Sequence, residues 1–231
     1  MTTDRIDIAI DAVCQELAAR RTDVSGWEEL REDAIFREVA ASILGSRVSF
    51  EMALAATERL AEVGLLSFPG DEGVYLRRVE DILSKPLSHP DWNRWRRYRF
   101  PKTRSRALAS TANAFYASGG SIKVWLRSFR DSRSARRGFV EKASGIGPKQ
   151  ASMILRNIRF CDELAILDSH LMRFMRLRGL TDPEPTRIST LEGYEAVERK
   201  FLDYARRSGW PAAVLDQAVW VVMRVHASCS P

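Results

Sequence analysis

The sequence predicts an all-α fold, and three observations predict it. Apolar residues recur at the three-and-four spacing of an amphipathic helix through most of the 231-residue chain. No run alternates apolar and polar residues well enough to read as a strand. Glycine and proline signals, such as Gly64, Pro69-Gly70, Lys85-Pro86 and His89-Pro90, divide the periodic stretches.

Taken in order, Ile6, Ile10, Val13 and Leu17 mark an amphipathic N-terminal helix. Glu28 to Leu44 reads as a second helix, and Phe50 to Val63 as a third that Gly64 ends. Leu65 to Leu76 is turn-rich, Val79 to Leu83 a short helix, and the two X-Pro pairs that follow a loop. Helices are expected from about Arg104 to Ala117, from Ile122 to Phe129, and over residues 134–143. Another begins at Pro148 and runs to Phe160, with Ala151, Ile154, Leu155 and Ile158 as its apolar stripe. A helix follows Asp168 to about Arg178, and after the Asp182-Pro183-Glu184-Pro185 loop come Leu191 to Ser208 and Pro211 to Val225. Neither an internal repeat nor a low-complexity tract is visible.

Composition narrows the function classes. No apolar run reaches membrane-spanning length, and the N-terminus lacks the basic-then-apolar pattern of a secretory signal. Three distant cysteines, Cys14, Cys161 and Cys229, read as free thiols of a reducing cytosol and are too few for a four-cysteine iron–sulfur cluster. The isolated histidines, His89, His170 and His226, suggest no metal site. Charge is unevenly placed: residues 1–93 carry a net −8, residues 94–137 carry 13 basic and one acidic side chain, and residues 138–231 a net +2. The arginine-rich block, from Arg94 to Arg106 and from Arg127 to Arg137, reads as a nucleic-acid face, since arginine binds phosphates well.

That block runs into Gly145-Ile146-Gly147-Pro148-Lys149-Gln150, the most informative stretch of the chain. Two glycines permit positive φ and close approach of another chain. Pro148 suits the first position of a helix, where its missing N–H costs nothing. The turn should therefore aim unpaired N–H groups of a helix start outward, a ready phosphate site, with Ile146 plugging the space between the two helices. In the first helical turn a cation is disfavoured by roughly 0.3–1 kcal/mol, which enlarges the fraction of Lys149 present as the neutral, nucleophilic amine. Asp168, nineteen residues further on, precedes the pattern Leu171, Met172, Phe174, Met175 and is simplest as an N-cap. Cap and catalytic carboxylate are compatible roles.

The run Gly145 to Ser152 followed by Asp168 resembles the helix-hairpin-helix superfamily of base-excision DNA glycosylases. Tyr98-Arg99-Phe100-Pro101-Lys102-Thr103-Arg104, Ile154-Leu155-Arg156-Asn157 and Leu215-Asp216-Gln217-Ala218-Val219-Trp220 resemble its archaeal-type 8-oxoguanine glycosylase/lyase branch. Phe36 to Leu60, with Ile43-Leu44-Gly45-Ser46, is similar to the paired helices that open that fold, so the likeness spans roughly residues 35–225. Where the branch carries a short basic tail that helps read the oxidised guanine, this chain has His226-Ala227-Ser228-Cys229-Ser230-Pro231.

The resemblance implies a two-lobed helical glycosylase unit over residues 1–231 with the active cleft between lobes. About 1–95 plus 185–231 would form a terminal lobe, and about 96–184 a central one. It implies Lys149 as nucleophile and Asp168 as its electrostatic partner. Phosphates would be held by Gly145, Ile146, Gly147, Gln150, Arg104, Arg136 and Arg137. Arg47, Val48, Ser49 or Phe50 would fill the space a flipped nucleotide leaves. Trp220 would stack on the base or serve the core; Asp216 would bind the base or cap the last helix, with Gln217 beside it. Trp92, Trp95, Trp125 and Trp210 are expected in the core or between lobes. The partner is double-stranded DNA carrying a modified base, with no membrane, metal or organic cofactor, and a cytoplasmic, nucleoid-associated monomer suffices. The leading substrate is 8-oxoguanine. A different or bulky modified base, such as a modified cytosine of phage DNA in a defence role, stays open, as do a non-catalytic DNA-binding protein and a broad abasic-site lyase.

Overall fold

The computed structural model describes residues 3–20, 26–68, 70–182, 188 and 190–228. Among them are eleven helices: α1 (Thr3–Arg20), α2 (Glu32–Leu44), α3 (Phe50–Glu62), α4 (Glu72–Ser84), α5 (Pro101–Tyr116), α6 (Ile122–Leu126), α7 (Ser132–Lys142), α8 (Pro148–Asn157), α9 (Ser169–Leu177), α10 (Leu191–Ser208) and α11 (Ala212–Ser228). A 3-10 turn spans Trp27–Glu29. The expected all-α class holds, with one small addition: β1 (Pro86–Leu87) and β2 (Arg96–Arg97) pair antiparallel, Pro86 opposite Arg97 and Leu87 opposite Arg96. Strands of two residues carry too little alternation for a sequence pattern to reveal. The Pro183-Glu184-Pro185 part of the expected loop and Cys229-Ser230-Pro231 lie outside the described residues.

Two compact units divide the chain: a terminal unit of Met1–Ser25 with Arg159–Pro231, and a central unit of Gly26–Ile158. The sequence reading places the divide near residues 95 and 184 instead. Residues 26–95 belong with the hairpin because α4 packs along α5, and α2 along α5, α6 and α8.

The terminal unit is built on α1, α9, α10 and α11. Ile6, Ile10 and Cys14 meet Leu171, Phe174 and Met175, Phe201, and Val214, Leu215, Val219 and Met223 in one core. Each such side chain, fully buried, contributes about 1.5–3 kcal/mol. In the central unit Ile35, Phe36, Val39, Ile43, Leu60, Leu108, Phe139, Ile154 and Leu155 are buried. An aromatic cluster seats α7 on α6: the Trp125 ring lies 4.7 Å from Phe129, 4.9 Å from Phe139 and 5.0 Å from Phe115. Gly138 faces this cluster, and a Cβ there would fall 2.5 Å from Phe129 and 2.8 Å from Trp125, so only glycine lets the helix approach.

Two elements differ from the sequence reading for identifiable reasons. The stretch read as one helix from Glu28 to Leu44 breaks before Glu32, whose carboxylate is needed elsewhere. It accepts from Tyr116 Oη (2.9 Å), Ser121 Oγ (2.7 Å), Ile122 N–H (2.6 Å) and Lys123 N–H (3.2 Å), tying α2 to the start of α6. Burial, with Glu32 alongside, pushes the Tyr116 phenol well above its ordinary range. The short helix expected at Val79 instead begins at Glu72. Asp71 caps it by accepting from Val74 N–H (2.6 Å), and Tyr75 anchors it by donating to the Leu65 carbonyl (2.6 Å). The cap and the buried ring outweigh the roughly 0.8–1 kcal/mol that Gly73 costs inside a helix.

Candidate active site

The glycine turn joins α7 to α8 within the central unit. Gly145 has φ +77°, where an L side chain is strained, and a Cβ would lie 3.2 Å from the Cβ of Ala107. Ile146 is 5% exposed and fills the space under the turn, as its position suggested. Gly147 caps α8 without a side-chain bond, and Pro148 takes the first helical position. Gln150 folds back so that its Oε1 accepts from Gly147 N–H at 3.2 Å. The N–H groups of Lys149 and Gln150 have no acceptor among the described residues. An open hollow of about 590 Å³ runs beside the turn, lined by Ser110, Val140, Lys142, Ser144 and Gly145 among others.

Lys149 is exposed, one residue into α8, and forms no ion pair with a described residue. The amine therefore stands beside open backbone donors. Such a site attracts an anion.

Helix α5 supports the turn with one face, Arg104, Ala107 and Thr111. The Thr111 hydroxyl donates to the Ser144 carbonyl at 3.3 Å. Arg104 lies with Nη1 3.8 Å from the Cβ position of Gly145. Its Nη2 donates to the Ser46 carbonyl at 3.2 Å, while its buried Nε has no acceptor among the described residues. The same arginine thus touches the hairpin turn and the α2–α3 turn. Beside it Tyr98 donates to the Leu44 carbonyl (2.6 Å), its phenol pushed up by burial and partly pulled back by the Arg104 charge. The four residues expected to form a wedge lie on the α2–α3 turn and at the start of α3. Arg47 is exposed at φ +65°, a conformation costing a non-glycine residue roughly 1–2 kcal/mol. Ser49 caps α3 by accepting from Met52 N–H (3.3 Å), Val48 is half-buried, and Phe50 is 68% exposed.

Arg137 lies exposed on α7, but Arg136 departs from the expected phosphate role. It is fully buried and donates from Nη1 to Ser152 Oγ at 3.2 Å, so it ties the two hairpin helices together. A helix turns 100° per residue, and on α7 that step carries Arg136 onto Ser152 and leaves Arg137 outside.

In the terminal unit Asp168 caps α9, its Oδ1 accepting from Leu171 N–H at 2.8 Å. The extended run before it is held by three side chains. Glu198 accepts from Ala165 N–H (2.9 Å), and Asp216 Oδ2 accepts from Ile166 N–H (2.8 Å). Tyr194 Oη accepts from Leu167 N–H (3.0 Å) and donates to the Ala165 carbonyl (2.8 Å). Asp216 is buried, and one of its oxygens holds the extended run that leads to Asp168. Tyr194 and Glu198 are absent from the sequence reading. The signal was a glutamate on the buried stripe of α10 with Tyr194, Phe201 and Ala205, a charge needing a partner.

Trp220 is 37% exposed, with its ring 6.4 Å from His170, two residues past Asp168, and 5.0 Å from the Arg224 guanidinium. Gln217 is exposed one turn earlier. Of the other tryptophans, Trp125 and Trp210 pack against cores, the latter donating to Asp11 at 3.0 Å, and Trp92 is half-buried. Trp95, expected inside, is 67% exposed. Among the described residues no three His, Cys, Asp or Glu side chains could hold a metal ion, and no helix is long and apolar enough to cross a membrane.

A buried isoleucine, a left-handed glycine and open helix-start donors define a helix-hairpin-helix protein. The chain belongs to the Ogg-HhH family, 8-oxoguanine DNA glycosylase, whose family model matches residues 18–210. The 8-oxoguanine DNA glycosylase/AP lyase of Metallosphaera sedula is 30% identical over 185 residues, covering 80% of this chain and 79% of that one. That of Korarchaeum cryptofilum is 24% identical, covering 84% and 82%. The fold is shared with the Methanocaldococcus jannaschii 8-oxoguanine glycosylase/lyase solved with a 15mer DNA containing 8-oxoguanine (TM-score 0.67, 22% identity, 94% of this chain and 88% of that one). It is shared also with the 8-oxoguanine DNA glycosylase of Thermotoga maritima (TM-score 0.65, 22% identity, 94% and 89%).

Proposed function

We propose that this protein is a bifunctional DNA glycosylase that excises 8-oxoguanine and nicks the strand at the resulting abasic site. The observation that carries the reading is Lys149, an exposed amine on the first turn after an anion-accepting hairpin, within a chain of this family. The turn N–H groups, Arg104 and Arg137 hold phosphates of the damaged strand, and binding opens the duplex so that the nucleotide leaves the stack. Phe50 and Arg47 enter the vacated space, with Val48 and Ser49 setting their backbone. Trp220 and Gln217 meet the extruded base, and Asp216 serves the pocket by holding the run that carries Asp168.

In the reaction the neutral Lys149 amine attacks C1′. The glycosidic bond breaks, and the base departs with the bonding pair and takes up a proton. Asp168 stabilises the positive charge that develops on the sugar. Ring opening transfers a proton to O4′ and leaves a Schiff base between Lys149 and C1′. Loss of a proton from C2′ then expels the 3′ phosphate, which nicks the strand. A monomer is sufficient, because one nucleotide is processed at a time.

Borohydride trapping on duplexes carrying 8-oxoguanine or an abasic site tests the reading. A covalent complex on the 8-oxoguanine duplex that Lys149→Gln abolishes is expected. Trapping on abasic DNA alone would reduce the protein to a lyase, and no trapping with retained DNA affinity would leave a binding protein.

A further inference from the structure

The short β1–β2 ribbon presents a surface that neither the fold nor the chemistry above uses. Trp95 lies two-thirds in water, immediately before β2, flanked by Arg94, Arg96, Arg97 and Arg99, all exposed. None of these four arginines forms an ion pair with a described residue. Three surface cations elsewhere are paired: Arg20 with Glu16 (2.6 Å), Arg59 with Glu62 (2.8 Å) and Lys85 with Asp81 (2.6 Å). Near the ribbon tip the one acidic side chain, Asp91, is turned to His89, with Asp91 N–H donating to Nδ1 at 3.2 Å and Oδ2 lying 3.6 Å from it. The arginines are also held rather than loose. Arg96 packs over the Trp92 ring at 4.9 Å and Arg97 donates to the Ser84 carbonyl at 3.5 Å.

The root of the ribbon places it. Tyr98, the residue after β2, bonds the Leu44 carbonyl, and Arg104 bonds Ser46 while lying against Gly145. The ribbon therefore rises from the same edge of the central unit as the wedge turn and the hairpin. An unpaired guanidinium row is complementary to a phosphate backbone, and an exposed indole among arginines is the composition of a surface on which bases stack.

We propose that the Arg94–Arg97 ribbon is a second DNA contact. Its arginines take phosphates beyond those held by the hairpin, and Trp95 stacks on a base exposed in the opened duplex. The inference rests on the glycosylase reading for the identity of the polymer, and it is measured on binding rather than on base release.

The experiment uses the full chain and a labelled duplex containing a tetrahydrofuran abasic analogue, which binds but cannot react with the amine. Affinity is read by anisotropy across a salt series. Trp95→Ala should weaken binding about 5- to 140-fold, the range of base–aromatic stacking, and Trp95→Phe should recover most of the loss. Arg94→Ala with Arg96→Ala should flatten the slope of log affinity against log salt by about 0.9 for each phosphate contact removed. Unchanged affinity and salt slope in these variants would overturn the proposal. So would a loss explained by a lowered melting temperature of Trp95→Ala. If the unaltered protein binds the analogue but releases no 8-oxoguanine, the glycosylase reading falls while the ribbon is still tested.

Discussion

Helices α8 and α9 begin at the two residues to which the proposed function assigns the chemistry, and their beginnings are built differently. Helix α8 opens on a glycine cap with no side-chain bond, its Lys149 exposed and its N–H groups without acceptors. Helix α9 opens on Asp168, whose own carboxylate closes the turn against Leu171 N–H, while Tyr194, Glu198 and Asp216 bind the approach to it. The first start has no side chain closing it; the second is closed on Leu171 N–H by its own cap. The difference teaches where specificity and stability reside. On the proposed function, DNA completes the lysine start, whereas the aspartate is held by a segment that Tyr194, Glu198 and Asp216 anchor.

The largest effect should come from Lys149→Gln. Base release and strand nicking should fall by about three orders of magnitude or more, as removing a covalent nucleophile does. Affinity for the abasic analogue should stay within about twofold. The melting temperature should hold or rise slightly, since the cation opposes the helix dipole. A variant that loses affinity with activity would erase the contrast between the two starts.

Next is Asp168→Asn, expected to cut single-turnover base release by about 10²–10³-fold, the range for one preorganised electrostatic group. Asparagine caps as well as aspartate, so calorimetry should find the melting temperature nearly unchanged. Asp168→Ala should lose the same activity and in addition about 1 kcal/mol of stability, or about 2–4 °C. Equal melting temperatures for Asn and Ala would show that the cap contributes nothing.

Tyr194→Phe removes the hydroxyl shared by Ala165 and Leu167 and leaves a buried N–H unsatisfied, at about 1–3 kcal/mol. Because the lost bonds lie next to Asp168, base release should fall with an unaltered affinity for the abasic analogue. Gly145→Ala is the counterpart on the other start. Left-handed strain and the 3.2 Å approach to Ala107 should cost about 1–2 kcal/mol, read by denaturant melting, and weaken DNA binding more than it slows saturated trapping. If Tyr194→Phe weakened binding and Gly145→Ala slowed only chemistry, the assignment of the two starts would be reversed.

The lysine start was legible in the sequence, and the supports of the aspartate start were not. Gly145, Gly147, Pro148 and Lys149 act through local backbone rules that hold over a few residues. The cap role of Asp168 was legible for the same reason. Tyr194 and Glu198 act across 27 to 33 residues of chain, with no spacing to betray them. Asp216 was noticed for its Leu-Asp setting and assigned to the base or a cap, and its bond to Ile166, 50 residues away, had no signal in that setting. Arg136 and Arg137 were alike as charges; helical phase buried the first and left the second outside. Trp95 was assigned inward from its residue type alone, and the ribbon, too short for a periodic signal, turned it outward.

By itself, then, the sequence determined the helical class, the hairpin with its lysine, the aspartate nineteen residues on and the arginine-rich block before them. These follow from local spacing, backbone freedom and charge density, which a chain carries whatever its partners. Tertiary structure decided that residues 26–95 share a unit with the hairpin and that Arg104 serves two turns at once. It also decided which polar groups are spent inside and which arginines remain for DNA. Those outcomes depend on what packs against each side chain, because a buried donor or acceptor must find a partner and only distant elements could supply one.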